Sequence, residues 1–133
     1  MDTRPHATGQ IEFRITERDM AAFRKFSGGE GISRKSKDTN TVYGGLIVAQ
    51  VSRLLSARLP GQRCVWRSLS LTFHAPLHVN ETATLTAAVT HVNEEHGLID
   101  FTLRIDVATH CIAEGEAAAL LIYTPPHLPS AVA

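Results

Sequence analysis

Val42-Tyr43-Gly44-Gly45-Leu46-Ile47-Val48-Ala49-Gln50-Val51-Ser52-Arg53-Leu54-Leu55 is the stretch around which the rest of the chain is organised. Ile47, Val51, Leu54 and Leu55 fall at i, i+4, i+7 and i+8, the period of an amphipathic helix. Leu46, Val48 and Ala49 fill the remaining sides, so the first half of this helix is apolar nearly all round and is expected to be wrapped by other elements. Gly44 and Gly45 stand where the first backbone N–H groups of a helix have no intrahelical acceptor. Glycine there lets a ligand come close to the backbone, and the helix dipole makes those N–H groups partners for an oxyanion. The same pair could instead serve only to let the helix pack closely on a sheet. Leu59-Pro60-Gly61 ends the helix within one turn.

Outward from the helix, the second half of the chain alternates. Arg63–His74 sets Val65, Leu69, Leu71 and Phe73 against Trp66, Ser68, Ser70, Thr72 and His74. Glu81–Asn93 sets Ala83, Leu85, Ala87 and Val89 against threonines, and Leu98–Ala108 sets Ile99, Phe101, Leu103, Ile105 and Val107 against Asp100, Thr102, Arg104 and Asp106. Glu114–Thr124 closes the series, with Ala118, Leu120 and Ile122 as its apolar face. Asn93-Glu94-Glu95-His96-Gly97 is a turn between two of these strands. Upstream, Gln10–Thr16 alternates as a further strand, and Thr16 with Asp19 offers a side-chain cap to a short helix through Met20, Ala21, Phe23 and Phe26. Ser27-Gly28-Gly29-Glu30-Gly31 breaks that helix, and a polar Ser-, Lys- and Gly-rich loop from Gly29 to Thr41 leads into the central glycines. Long antiparallel strands with one polar face each, joined to one buried helix, predict an α+β domain whose sheet curls around the helix.

At 133 residues the chain has the length of one domain. Residues 1–9 and 125–133 read as frayed tails, with the folded domain at 10–124. The formal net charge is zero and the charges are evenly mixed, which argues against nucleic acid as a partner. No segment reaches the roughly 20 apolar residues of a membrane span, and no apolar leader is visible. Cys64 and Cys111 lie in predicted strands outside any metal-ligand spacing and read as small buried residues in a reducing compartment. The expectation is a cytoplasmic protein without bound metal or cofactor.

Trp66-Arg67-Ser68-Leu69-Ser70-Leu71-Thr72-Phe73-His74-Ala75-Pro76-Leu77-His78-Val79-Asn80-Glu81 resembles the strand that follows the central helix in MaoC-like and (R)-specific enoyl-CoA hydratases. Phe23–Gly28 resembles the short helix before their catalytic loop, and Leu59-Pro60-Gly61 matches a motif they often carry. The resemblance spans residues 10–124 and implies a single hotdog domain, an antiparallel sheet wrapped around one long helix. It also implies an acyl-CoA or acyl-carrier-protein substrate, with coenzyme A or phosphopantetheine entering only as part of that substrate. A site between two protomers follows from it too, hence a homodimer or a dimer of dimers.

Those hydratases carry an Asp and a His in the loop, and a His-Gly pair at the helix start. Aligned on Ser27-Gly28, the Asp position falls on Gly29, the His position on Arg34, and the His-Gly pair on Gly44-Gly45. The acid–base dyad is therefore absent from its usual places, and Glu30, Asp38 and Tyr43 are the remaining catalytic candidates near the helix start. Gly44, Gly45, Arg34 and Gln50 are the candidates for substrate binding. Val42–Gln50 is also similar to the helix start of TesB-like acyl-CoA thioesterases, though Leu46 replaces their first Gln and the helix carries no carboxylate. Hydratase or dehydratase chemistry is thus the leading expectation. Thioester hydrolysis is the alternative, and a non-catalytic hotdog subunit or acyl-binding partner the third. The histidines are expected to be structural or solvated; His74 shares parity with Ser70 and Thr72 and so faces away from the helix.

Overall fold

A computed structural model describes residues 7–28, 40–57 and 64–122. Their order is β1 (Thr8–Arg14), α1 (Glu17–Ser27), α2 (Gly44–Ala57), β2 (Cys64–Phe73), β3 (Thr82–Asn93), β4 (Leu98–Val107) and β5 (His110–Leu121). The five strands form one antiparallel sheet in the order β1-β3-β4-β5-β2, so β1 and β2 are its edges. This is the expected α+β arrangement.

The helix period places α2 on the sheet. Ile47, Val51, Leu54 and Leu55 are buried, and they meet Leu85, Val89, Ile99, Phe101 and Ile105 from β3 and β4 in one core. α1 begins with the capping box: the Thr16 hydroxyl accepts from the Asp19 N–H at 3.1 Å, and the Asp19 carboxylate accepts from the Thr16 N–H at 2.9 Å. It ends on Gly28, whose φ of +71° is the left-handed conformation of a helix C-cap. Met20 is its buried anchor, while Phe26, at 90% exposure, touches almost nothing.

Three features depart from the alternation read in the sequence. In β2, Trp66 pairs with Ala119 and Ser68 with Ala118, so Arg67 is an extra residue. That bulge reverses the faces across it: Val65 is exposed, whereas Trp66, Leu69 and Leu71 pack against the core. Trp66 donates its indole N–H to the Ser52 hydroxyl on α2 at 3.1 Å. In β5 the inward residues are Ala113, Ala117 and Ala119, while Leu120 and Ile122 are exposed. The cause is volume: Ala117 is registered opposite Phe101 and Leu69, and Ala119 opposite Ile99 and Trp66, so the small residues make room for large ones. Finally, α2 is covered on one side only; Gly44, Gly45, Ala49, Arg53 and Ser56 are exposed.

Gly115 is the tightest point of the sheet. A Cβ there would collide with the Ser70 carbonyl of β2, a backbone atom that cannot step aside. Gly115→Ala is expected to lower stability by at least the upper end of about 1–3 kcal/mol for overpacking. Thermal or urea unfolding of the variant measures it.

Candidate active site

The start of α2 is held against the chain that leaves β2. Thr41 and His78 form an isolated antiparallel bridge. The Val42 N–H donates to the Leu77 carbonyl and the Val79 N–H to the Asn40 carbonyl, both at 2.8 Å. Between the two segments lies a cavity of about 410 Å³, lined by Thr41, Val42, Gly44 and Ile47 on one side and Phe73, His74, Ala75, Pro76 and Leu77 on the other. Its size is that of a small-ligand site and its walls are mostly apolar. Among the described residues, a Cβ on Gly44 would meet nothing within 4 Å. Among the described residues, no acceptor is bonded to the N–H of Gly44 or Gly45. Two orphan donors at a helix N-terminus beside an apolar cavity suit a carbonyl oxygen that gains negative charge.

Gly45 is placed differently from its neighbour. A Cβ there would come within 2.7 Å of Cζ and 2.9 Å of Cε1 of the Phe23 ring, so Gly45 lets α1 and α2 approach. Gly45→Ala is expected to cost about 1–3 kcal/mol of stability, and Phe23→Leu in the same chain to recover part of it by removing the ring. Denaturant midpoints of the two single variants and the double variant test this.

Tyr43 leans on the same ring, with centroids 5.2 Å apart and planes tilted by 31°. Its hydroxyl accepts from Arg24 Nη1 at 3.3 Å, and Arg24 also reaches Glu17 at 3.5 Å. The bond to Tyr43, before that to Glu17, holds the Arg24 guanidinium above its ordinary pKa. Tyr43 is thus clamped by α1 next to Gly44, but it does not line the cavity. Gln50 lies further along the helix, where its Oε1 accepts from Arg53 Nη1 at 2.9 Å, and it too is absent from the lining. The structure brings Tyr43, Gly44 and Gly45 together and leaves Gln50 apart. Glu30, Arg34 and Asp38, with Gly29, lie outside the described residues.

The far wall was not among the site residues expected from sequence. Phe73-His74-Ala75-Pro76 served there only as a marker of the fold; its position directly after a strand was the available signal. His74 borders the cavity, but its ring turns outward as expected, with Nε2 3.5 Å from the Glu114 carboxylate. Cys64 and Cys111 are free thiols, each partly buried. Burial pushes the Cys64 thiol up, which makes it a poor nucleophile.

Compared with solved structures, the chain superposes on an (R)-hydratase from A. caviae with a TM-score of 0.77, covering 90% of this chain and 97% of that one at 23% identity. The chain is a hotdog-fold protein. Beyond the fold, likeness to a hydratase extends to part of the sequence. An (R)-specific enoyl-CoA hydratase of Rhodospirillum rubrum is 32% identical over 83 residues, 62% of this hotdog chain and 58% of the relative. The matched stretch thus spans little more than half of that relative's length. A fluoroacetyl-CoA-specific thioesterase shares the fold at a TM-score of 0.66 and 14% identity, covering 92% of this chain and 90% of that one. No family model matches the sequence. No helix among the described residues is long and apolar enough to cross a membrane.

Proposed function

We propose that this hotdog protein binds an acyl thioester, linked to coenzyme A or to a carrier protein, and catalyses a hydratase- or dehydratase-type reaction on it. The observation that carries this reading is the sequence match to an (R)-specific enoyl-CoA hydratase. The apolar cavity at the start of α2 agrees with it. The thioester carbonyl accepts from the N–H groups of Gly44 and Gly45, which draws electrons from the conjugated double bond. Water then adds its hydroxyl to the β-carbon as a base takes its proton, the α-carbon gains a proton, and the transient negative charge rests on the carbonyl oxygen. No separate cofactor is required, since the thioester arrives with its own carrier.

Thioester hydrolysis is the second reading, favoured by the resemblance of Val42-Tyr43-Gly44-Gly45 to thioesterase helix starts. A non-catalytic acyl-binding subunit is the third, favoured by Gly29 and Arg34 at the positions of the hydratase Asp and His. The proposed assembly is a homodimer. The exposed apolar residues Val65 and Phe73 on β2, Leu120 near the end of β5 and Ile122 just after it, together with the open β2 edge, support it.

Incubation with crotonyl-, 3-hydroxyacyl- and saturated acyl-CoAs, following enoyl absorbance and free thiol together, separates the three readings. Loss or gain of enoyl absorbance without thiol release is the expected result. Thiol release would favour the hydrolase, and binding without turnover the subunit.

A further inference from the structure

The outer face of the sheet, turned away from the core, carries a second constellation. Where β2 ends, the N–H groups of His74 and Ala75 both donate to the Ile112 carbonyl, at 2.7 and 3.2 Å. This pins His74 to one point on β5. At that point β5 holds an extra residue: Ile105 is registered with Ala113 but Asp106 with Cys111, which leaves Ile112 over. Ile112 and Ala113 are consequently both buried. Without the bulge, Cys111 would share a face with Ala113 and point inward; with it, the thiol turns to the side that carries Glu114. Cys111 Sγ lies 3.6 Å from Glu114 Oε2, and His74 Nε2 lies 3.5 Å from the same oxygen. The ligand atoms of all three residues fall within 4.8 Å of one another.

We propose that His74, Cys111 and Glu114 form a zinc site whose fourth position is open to water. With Zn–S of about 2.3 Å, Zn–N of about 2.0–2.1 Å and Zn–O of about 2.0–2.2 Å, a tetrahedral ion sets its S–O and N–O ligand edges at about 3.6 and 3.4 Å. The S–O and N–O separations of 3.6 and 3.5 Å are already close to these lengths, so only the S–N edge has to close. A thiolate, an imidazole and a carboxylate suit zinc rather than magnesium or calcium, which prefer oxygen ligands alone. The thiolate and carboxylate charges together balance a divalent ion. Arg104, registered opposite Glu114, is the one cation in position to oppose it among the described residues of β4 and β5. Its guanidinium is engaged by Asp106, with Nε 2.9 and 3.2 Å from the two carboxylate oxygens, which offsets its charge. Cys111 and Glu114 are three residues apart and His74 comes from another strand, so no linear motif announces the site.

Cobalt is a spectroscopic stand-in for zinc. Titration of the reduced, full-length chain with Co²⁺ is expected to saturate at one equivalent with a thiolate-to-cobalt charge-transfer band in the near ultraviolet, which added Zn²⁺ displaces. Cys111→Ala abolishes the band, and Cys64→Ala retains it. Glu114→Gln, nearly isosteric at an exposed position and thus harmless to folding, weakens cobalt binding at least about tenfold, since losing even an outer-shell partner of a metal costs about 10–100-fold. Absence of the band at stoichiometric cobalt would overturn the proposal. So would a band that follows Cys64, or unchanged affinity in Glu114→Gln.

Discussion

Gly44→Val is expected to lower acyl-thioester turnover by about 10²–10³-fold, or about 2.7–4 kcal/mol, the loss that follows when one oxyanion donor can no longer reach the carbonyl. The new side chain stands on the cavity wall, where no described residue lies within 4 Å of its Cβ. It therefore crowds the ligand and not the protein, and the melting temperature should stay within a few degrees of the parent. Gly45 offers no such clean test. A side chain there strikes Phe23 and disturbs the contact between α1 and α2 before it reaches any ligand. Steady-state kinetics on Gly44→Val, with a thermal melt alongside, keeps catalysis and folding apart. A stable variant with parental turnover would place the carbonyl elsewhere.

The second large effect concerns proton transfer. General acid–base assistance is worth about 10²–10⁴-fold, and the resemblance read in the sequence implies Gly29 and Arg34 at the positions of an Asp and a His. Glu30, Asp38 and Tyr43 are the acid–base side chains that the sequence places before the helix start. One of Glu30→Gln, Asp38→Asn or Tyr43→Phe is expected to reduce turnover by at least about tenfold. Tyr43 carries a structural bond as well, because its hydroxyl accepts from Arg24. Tyr43→Phe should consequently be read against Arg24→Gln, which removes that bond and keeps the phenol. A loss in the first that is absent from the second assigns the phenol itself. Full activity in all three acid–base variants would move the catalytic group to another part of the chain.

Local signals made most of the fold legible. The period of Ile47, Val51, Leu54 and Leu55 located the core face of α2, and the alternation in β3 and β4 located the inward residues of the central strands. Thr16 and Asp19 announced the start of α1 because a capping box is a contact between near neighbours. The reading failed where one extra residue changes parity. The bulge at Arg67 reversed Val65 and Trp66, and the choice of face in β5 favoured Leu120 over the alanines that fit beneath Phe101 and Trp66. At the site, Gly44 and Gly45 are indistinguishable in sequence. Only the position of Phe23, more than 20 residues upstream, gives one of them to packing and leaves the other facing the cavity. Gln50 was grouped with them by proximity along the helix, but Arg53 takes up its carbonyl oxygen away from the cavity.

The amide resonances of Gly44 and Gly45 in ¹⁵N-labelled protein test the central claim most directly. Butyryl-CoA, which has no double bond to hydrate, serves as the titrant, with a thiol reagent reporting any hydrolysis. If the thioester oxygen sits at the start of α2, at least one of the two glycine N–H protons moves strongly downfield on saturation, and residues lining the cavity shift with it. Saturable binding that perturbs other parts of the chain while both glycine amides stay in place would contradict the account.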